Sequence, residues 1–225
     1  MITSEMNYKE VQMEIFKDWM VLSRRLSGWH KKYHKQLSKK QSKDLTFLEH
    51  KVYDLPSNNR VHAIFCVERS TSTKHQCLIW WFVWEVPVPQ GGCRYYIQTS
   101  NLISHMVVSA HAAQRVKERS GKSFIDMYIQ TILSSTRGVF MWTPYLQNNR
   151  DNEVIADFGD GCFIGVLGEN GERIATTYVD KDRMYSNQLE TTFGCRTFAQ
   201  DYAEESHKVW TSNPKKEYGF VRAKA

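Results

Sequence analysis

The ten residues Cys77–Val86, CLIWWFVWEV, carry nine apolar side chains and one acid. A run this apolar must leave water, yet it is far shorter than the roughly 20 residues a helix needs to cross a bilayer. It therefore reads as a buried strand, with Trp80, Trp81 and Trp84 in a core rather than on a stacking platform. Pro87 and Pro89 end it, because neither can donate to a ladder. Gly91-Gly92 then turns the chain into a strand over 93–98. Upstream, residues 45–54 and 60–69 read as two more strands around the turn Pro56-Ser57-Asn58-Asn59. Three or four antiparallel strands are expected in this half.

The flanking segments are helical in pattern. Residues 4–26 place Val11, Ile15, Trp19 and Leu22 on one stripe. Gly28 is expected to break this helix, and Trp29, Tyr33 and Leu37 form the stripe of a second one over 29–41. The two make an α-hairpin, residues 1–43, in front of an α+β domain, residues 44–225. In that domain Ser109–Ser120 is a short helix, and Ser123-x-x-Asp126 is a capping box opening another through 134. Strand-like runs follow at 138–143, 153–158, 162–168 and 172–179. The last two are joined by Asn170-Gly171, a strong hairpin signal. A final helix is expected over 197–210. The expected fold is thus α+β, an antiparallel sheet packed by helices, with an N-terminal α-hairpin. No linker separates the halves, so one shared core is expected.

Among 225 residues, 41% are hydrophobic, which is enough for a sizeable core and excludes a disordered chain. The five cysteines Cys66, Cys77, Cys93, Cys162 and Cys195 form no CxxC pair and read as reduced thiols. With no leader-like N-terminus and no spanning segment, the expectation is a cytoplasmic protein without membrane attachment. The formal charge is +6. Eight of the cations, Arg24, Arg25, Lys31, Lys32, Lys35, Lys39, Lys40 and Lys43, fall in a block without acids. Such a block attracts polyanions, whether RNA, DNA or an anionic membrane surface, or else it is a solvated helix face; charge alone does not name the partner.

The segment Ser109-Ala-His111-Ala-Ala-Gln-Arg115-Val-Lys-Glu118-Arg119 combines a good N-cap with a patterned helix. His111, Arg115 and Arg119 stand at i, i+4 and i+8 on one face, while Ala112 and Val116 supply an apolar one. An imidazole near a helix N-terminus with guanidiniums below it suits a phosphate.

The order of elements, with the segments SAHAAQRVKER, EVIADF and CFIGVLGENGERIATTYV, resembles the small ribonuclease-toxin group of barnase–EndoU–colicin–RelE fold, which includes RelE-like and BrnT-like members. The resemblance covers about residues 105–185. It implies metal-independent RNA cleavage by 2′-OH transesterification, in a toxin or a mobile-element or phage protein. His111 would be the general base or acid, and Arg115 and Arg119 would stabilise the phosphorane. Thr176 would donate to a phosphate oxygen, and Tyr178 would stack on a base or orient the scissile unit.

If Asn170-Gly171 is a two-residue turn, Glu169 pairs with Glu172, Leu167 with Ile174, Gly165 with Thr176 and Phe163 with Tyr178. Gly165 would then either leave room for a ligand backbone beside the Thr176 hydroxyl or mark a bulge under a packed aromatic. Asp151, Asp157 and Asp160 are near one another in sequence, but Asp157 and Asp160 flank a turn that Gly159 and Gly161 explain, and His50, His62, His75 and His105 read as structural. There is no HExxH, Walker loop or dinucleotide fingerprint, so no metal or cofactor is expected. Two alternatives stand beside cleavage. One is non-catalytic nucleic-acid binding. The other is a structural or protein-interaction role, with an inhibitor or partner protein.

Overall fold

The computed structural model describes residues 1–38, 45–70, 75–99, 104–134, 142–144, 152–158 and 160–192. Its first element is a helix, α1 (Tyr8–Ser38), and five strands follow: β1 (Leu45–Asp54), β2 (Arg60–Ser70), β3 (His75–Pro87), β4 (Cys93–Thr99) and β5 (Ser104–Val108). Two helices, α2 (Ala110–Ser120) and α3 (Phe124–Ser134), precede four more strands: β6 (Trp142–Pro144), β7 (Glu153–Asp157), β8 (Gly161–Leu167) and β9 (Arg173–Asp180). A 3-10 turn (Lys181–Arg183) and a helical stretch at 186–192 end the described chain.

The nine strands form one sheet in the order β1-β2-β3-β4-β5-β9-β8-β7-β6. Each half is an antiparallel meander. They join through a short parallel pairing, Val107 with Ile174 and Val108 with Ala175. The α+β class holds, and the sheet is antiparallel except at this joint. Strand β5, which makes the joint, has no counterpart among the predicted strands.

Covering the sheet on both faces explains the unbroken apolar run. Strand β3 sends Trp80, Phe82, Trp84 and Val86 to the face under α1. Trp81 and Val83 go to the face under α2 and α3. A strand buried on both sides needs no alternation of apolar and polar residues. The second face gathers Ile64, Trp81 and Ile97 from the first half with Phe124, Phe163 and Tyr178 from the second, so both halves share a core.

The predicted α-hairpin is replaced by a single helix, with the chain running straight through Gly28. A helical glycine costs about 1 kcal/mol. Leu26 and Trp29, on either side of it, are both buried, and Trp29 stacks on Trp80 with ring centroids 5.7 Å apart. Burial of such side chains stabilises by about 1.5–3 kcal/mol each, which outweighs the glycine. The helix starts at Tyr8 because Asn7 and Glu10 form a reciprocal cap. Glu10 N donates to Asn7 Oδ1 (3.1 Å) and Asn7 N to Glu10 Oε2 (2.8 Å).

Three hairpins share one loop geometry. The third loop residue is left-handed: Asn58 (φ 61°), Gly91 (φ 89°) and Gly171 (φ 77°). Each donates back to the residue before the loop, Leu55 (2.9 Å), Val88 (3.0 Å) and Gly168 (3.0 Å). These are three-residue loops built on a turn followed by a left-handed residue. The last corrects the predicted register. Gly168 N donates to Glu172 O (2.8 Å), so Leu167 pairs with Arg173 and Gly165 with Ala175. A β-bulge at Ile164/Gly165 then restores Phe163 opposite Tyr178, and Thr176 is the extra residue.

Candidate functional site

The parallel joint brings the start of α2 against β9. Ser109 N donates to Ala175 O (3.0 Å), and the Ser109 hydroxyl donates to Thr176 O (3.3 Å) while accepting from Ala112 N (3.1 Å). Gly121, in a left-handed conformation (φ 70°), caps the other end through a 3.0 Å bond to Lys117 O. Ala112, Ala113 and Val116 are buried, and His111 is exposed on the opposite face. Arg115 Nη1 donates to Glu118 Oε2 (2.7 Å), and Gln114 Nε2 to Glu118 Oε1 (2.8 Å). The Gln114 bond, then the Arg115 bond, with the charges of Arg115 and His111, hold the Glu118 carboxyl below the usual range. The exposed face of α2 is therefore a linked group: His111, Gln114, Arg115 and Glu118.

Arg119 leaves that group. Its guanidinium donates to Tyr178 O, and its Nε lies 3.9 Å from Asp180 Oδ1, so it lashes the end of α2 to β9. Tyr178 is 1% exposed and packs edge-on against Phe163 at 5.4 Å. Burial, with the nearby Asp160 and Asp180 charges, pushes its hydroxyl up to about 12. A buried ring has no face for a base, so the predicted stacking role of Tyr178 is corrected to a core role. Thr176 is exposed, but its hydroxyl donates to Ile164 O (3.1 Å) and steadies the bulge. The space expected beside Gly165 is filled by β9 itself, because a Cβ there would strike the Ile174 carbonyl oxygen. The fold thus leaves His111 exposed on α2 and Thr176 exposed on β9, where its carbonyl accepts from the N-cap Ser109, and it takes Arg119 and Tyr178 into the structure.

Of the predicted polyanion-binding residues, Arg24, Arg25, Lys31 and Lys32 are exposed on α1. Arg25 Nη1 donates to Asp54 O (3.2 Å), and Lys32 Nζ lies 3.9 Å from Glu49 Oε2. Lys35 lies on α1, and Lys39, Lys40 and Lys43 lie outside the described residues.

A second polar cluster escaped the sequence reading. On the α3 face of the sheet, His50 Nε2 meets His62 Nδ1 at 3.0 Å, and His62 Nε2 meets Glu85 Oε2 at 2.9 Å. Cys93 Sγ donates to Glu85 Oε1 at 3.3 Å. An ionised carboxylate only accepts, so His62 Nε2 carries the proton that faces Glu85. In the neutral ring Nδ1 then accepts from His50 Nε2–H. The row spans β1 to β4 and can pass a proton between His50 and Glu85. Burial first, then the His62 charge, lowers the His50 pKa, against Asp126 of α3. The His62 bond holds the Glu85 carboxyl below the usual range. Burial and then Glu85 push the Cys93 thiol up to about 11, which rules out a ready thiolate nucleophile. The available signal was the β1–β2 hairpin register, which sets Val52 opposite His62 and His50 opposite Ile64. Both imidazoles then lie on one face as diagonal neighbours.

Among the described residues, Cys66, Cys93 and Cys162 are not joined in disulfides. Among the described residues no group of three or more His, Cys, Asp or Glu could hold a metal ion, and no helix is long and apolar enough to cross a membrane. No protein-family model, no curated protein and no solved structure matches the chain.

Proposed function

We propose that this protein binds RNA without cutting it, through the solvent-facing cations of α1. One observation carries the reading. Arg24 and Lys31 stay on the outer side of a helix whose inner stripe, Leu22, Leu26 and Trp29, is buried on the sheet, and Arg25 and Lys32 are exposed on its flank, facing Asp54 O and Glu49 of β1. Their positions are fixed by the core rather than by one another. Cations held in this way neutralise phosphates and release counterions, so affinity falls steeply with salt. Replacing Arg24 and Lys31 with Gln is expected to weaken RNA binding. It should also flatten the plot of log affinity against log salt, by roughly 0.7 for each single-strand phosphate that is no longer neutralised. Affinity and slope both unchanged in a filter-binding series would rule out this surface.

The second reading is RNA cleavage at the α2/β9 rim, and the exposure of His111 in the first turn of α2 favours it. The resemblance implies His111 as general base or acid, with Arg115 beside it and Thr176 across the rim. Arg119 and Tyr178 would contribute only by holding α2 and β9 in place. The test is incubation with single-stranded RNA in EDTA. On this reading cyclic-phosphate ends form, and His111→Ala slows cleavage by about 10²- to 10⁴-fold without changing the melting temperature. Intact RNA with the wild-type protein leaves binding as the function.

A further inference from the structure

We propose that the outward ridge of α1 is a stacking platform for single-stranded nucleic acid, on which Phe16 receives a base and the flanking cations receive phosphates. The inference rests on the RNA-binding reading and adds the form of nucleic acid bound. Positions 9, 13, 16, 20, 24, 27 and 31 follow one line along a helix. In this chain they read Lys, Met, Phe, Met, Arg, Ser, Lys. Met13 and Phe16 are each 61% exposed and Met20 is 55% exposed, while Val11, Ile15 and Leu22 on the opposite stripe are buried. Lys9, Arg24 and Lys31 are exposed. At about 1.5 Å per residue the line is roughly 33 Å long, with an apolar centre and a cation toward each end.

Isolated exposed apolar residues are ordinary, but three in a row on one ridge mark a contact surface. Their chemistry selects among partners. Cations alone would serve any polyanion. An exposed aromatic ring between cations is the composition that holds unpaired bases, because every base has a face to stack. A duplex offers its phosphates but keeps its bases stacked inside. A protein partner would need about 800 Å² from this side, more than three side chains on a convex ridge supply.

The test compares wild type, Phe16→Ala and Phe16→Trp in fluorescence anisotropy with a short 5′-labelled single-stranded RNA and with the duplex of the same sequence, over a salt series. Phe16→Ala is expected to weaken single-strand binding by about tenfold or more. It should leave the salt slope, the duplex affinity and the melting temperature unchanged, and Phe16→Trp should restore the affinity. Equal binding by Phe16→Ala, or an equal loss on single strand and duplex, overturns the platform while the RNA-binding reading stands. Wild type binding neither RNA overturns both. Phe16-dependent sedimentation with vesicles of anionic phospholipid, and no effect of Phe16 on RNA, overturns the platform in favour of a lipid contact.

Discussion

Asn59 ties three parts of the chain together through one side chain and its own backbone. Its Oδ1 accepts from Ile2 N (2.7 Å), its Nδ2 donates to Asp18 Oδ2 (2.5 Å), and its carbonyl accepts from Leu55 N (2.9 Å). Asn59 and Asp18 are each 4% exposed. Removing one partner leaves the other buried and unsatisfied, which costs more than the bond itself contributed. Asn59→Ala is expected to lower stability by about 3 kcal/mol in urea denaturation, with Asp18→Leu in the same chain recovering part of the loss. A loss under about 0.5 kcal/mol would show that water replaces the amide. The same distinction separates two residues of α2. His111 is exposed, and its replacement should leave stability untouched. Arg119 and Asp180 face each other half-buried, so Arg119→Ala should destabilise. The polar face of α2 was legible because Ala112 and Val116 mark the buried one. The turning of Arg119 toward β9 was not, because it depends on which strand lies beside the helix.

Elements were legible where the pattern was local. The strands flanking each loop were read to within a residue or two, since Pro, Asn and Gly punctuate them. Strand β5 was not read: SHMVV is short and opens on polar residues, and only its pairing with β4 and β9 makes it a strand. At Gly28 a local rule lost to packing. That yields a pair of opposite forecasts. Nothing lies within 4 Å of a Cβ built on Gly28, and the residue is inside a helix, so Gly28→Ala should stabilise by about 0.5–1 kcal/mol. At Gly165 a Cβ would strike the Ile174 carbonyl and crowd Ala175. Gly165→Ala should therefore cost about 1–3 kcal/mol by forcing the bulge apart. Thermal melts of the two variants check both signs. A loss of stability at Gly28→Ala would mean that the helix needs glycine there, as the predicted hairpin did.

Across the whole molecule, the row His50–His62–Glu85–Cys93 places ionisable groups from β1 to β4, four of the five strands of the first meander, on the sheet face that carries α3. His50 faces His62 of β2 and Asp126 of α3. Glu85 faces His62, Arg60 and Cys93, and its charge also acts on Tyr95. The arrangement requires one imidazole to accept from the other. When both rings are charged neither can accept, and the 3.0 Å approach of His50 to His62 becomes a repulsion. The direction of the pH effect follows. The folded protein holds the His50 pKa below its ordinary value of 6.5, so the unfolded chain binds this proton more readily. Stability from His50 is then complete above about pH 6.5 and declines as pH falls from there toward the lowered value. Glu85 is also lowered, from 4.5, so its contribution is present above about pH 4.5 and is lost as pH falls through the lower range. Melting temperature should therefore drop in two stages on acidification, the first belonging to His50. His50→Gln, which keeps a donor toward His62 but does not titrate, should abolish the first stage and leave the second. Glu85→Gln should reduce the second. If wild type and His50→Gln lose stability in parallel between about pH 7 and 5, the first stage belongs to other histidines, and the row is a static network rather than an acid-sensitive one.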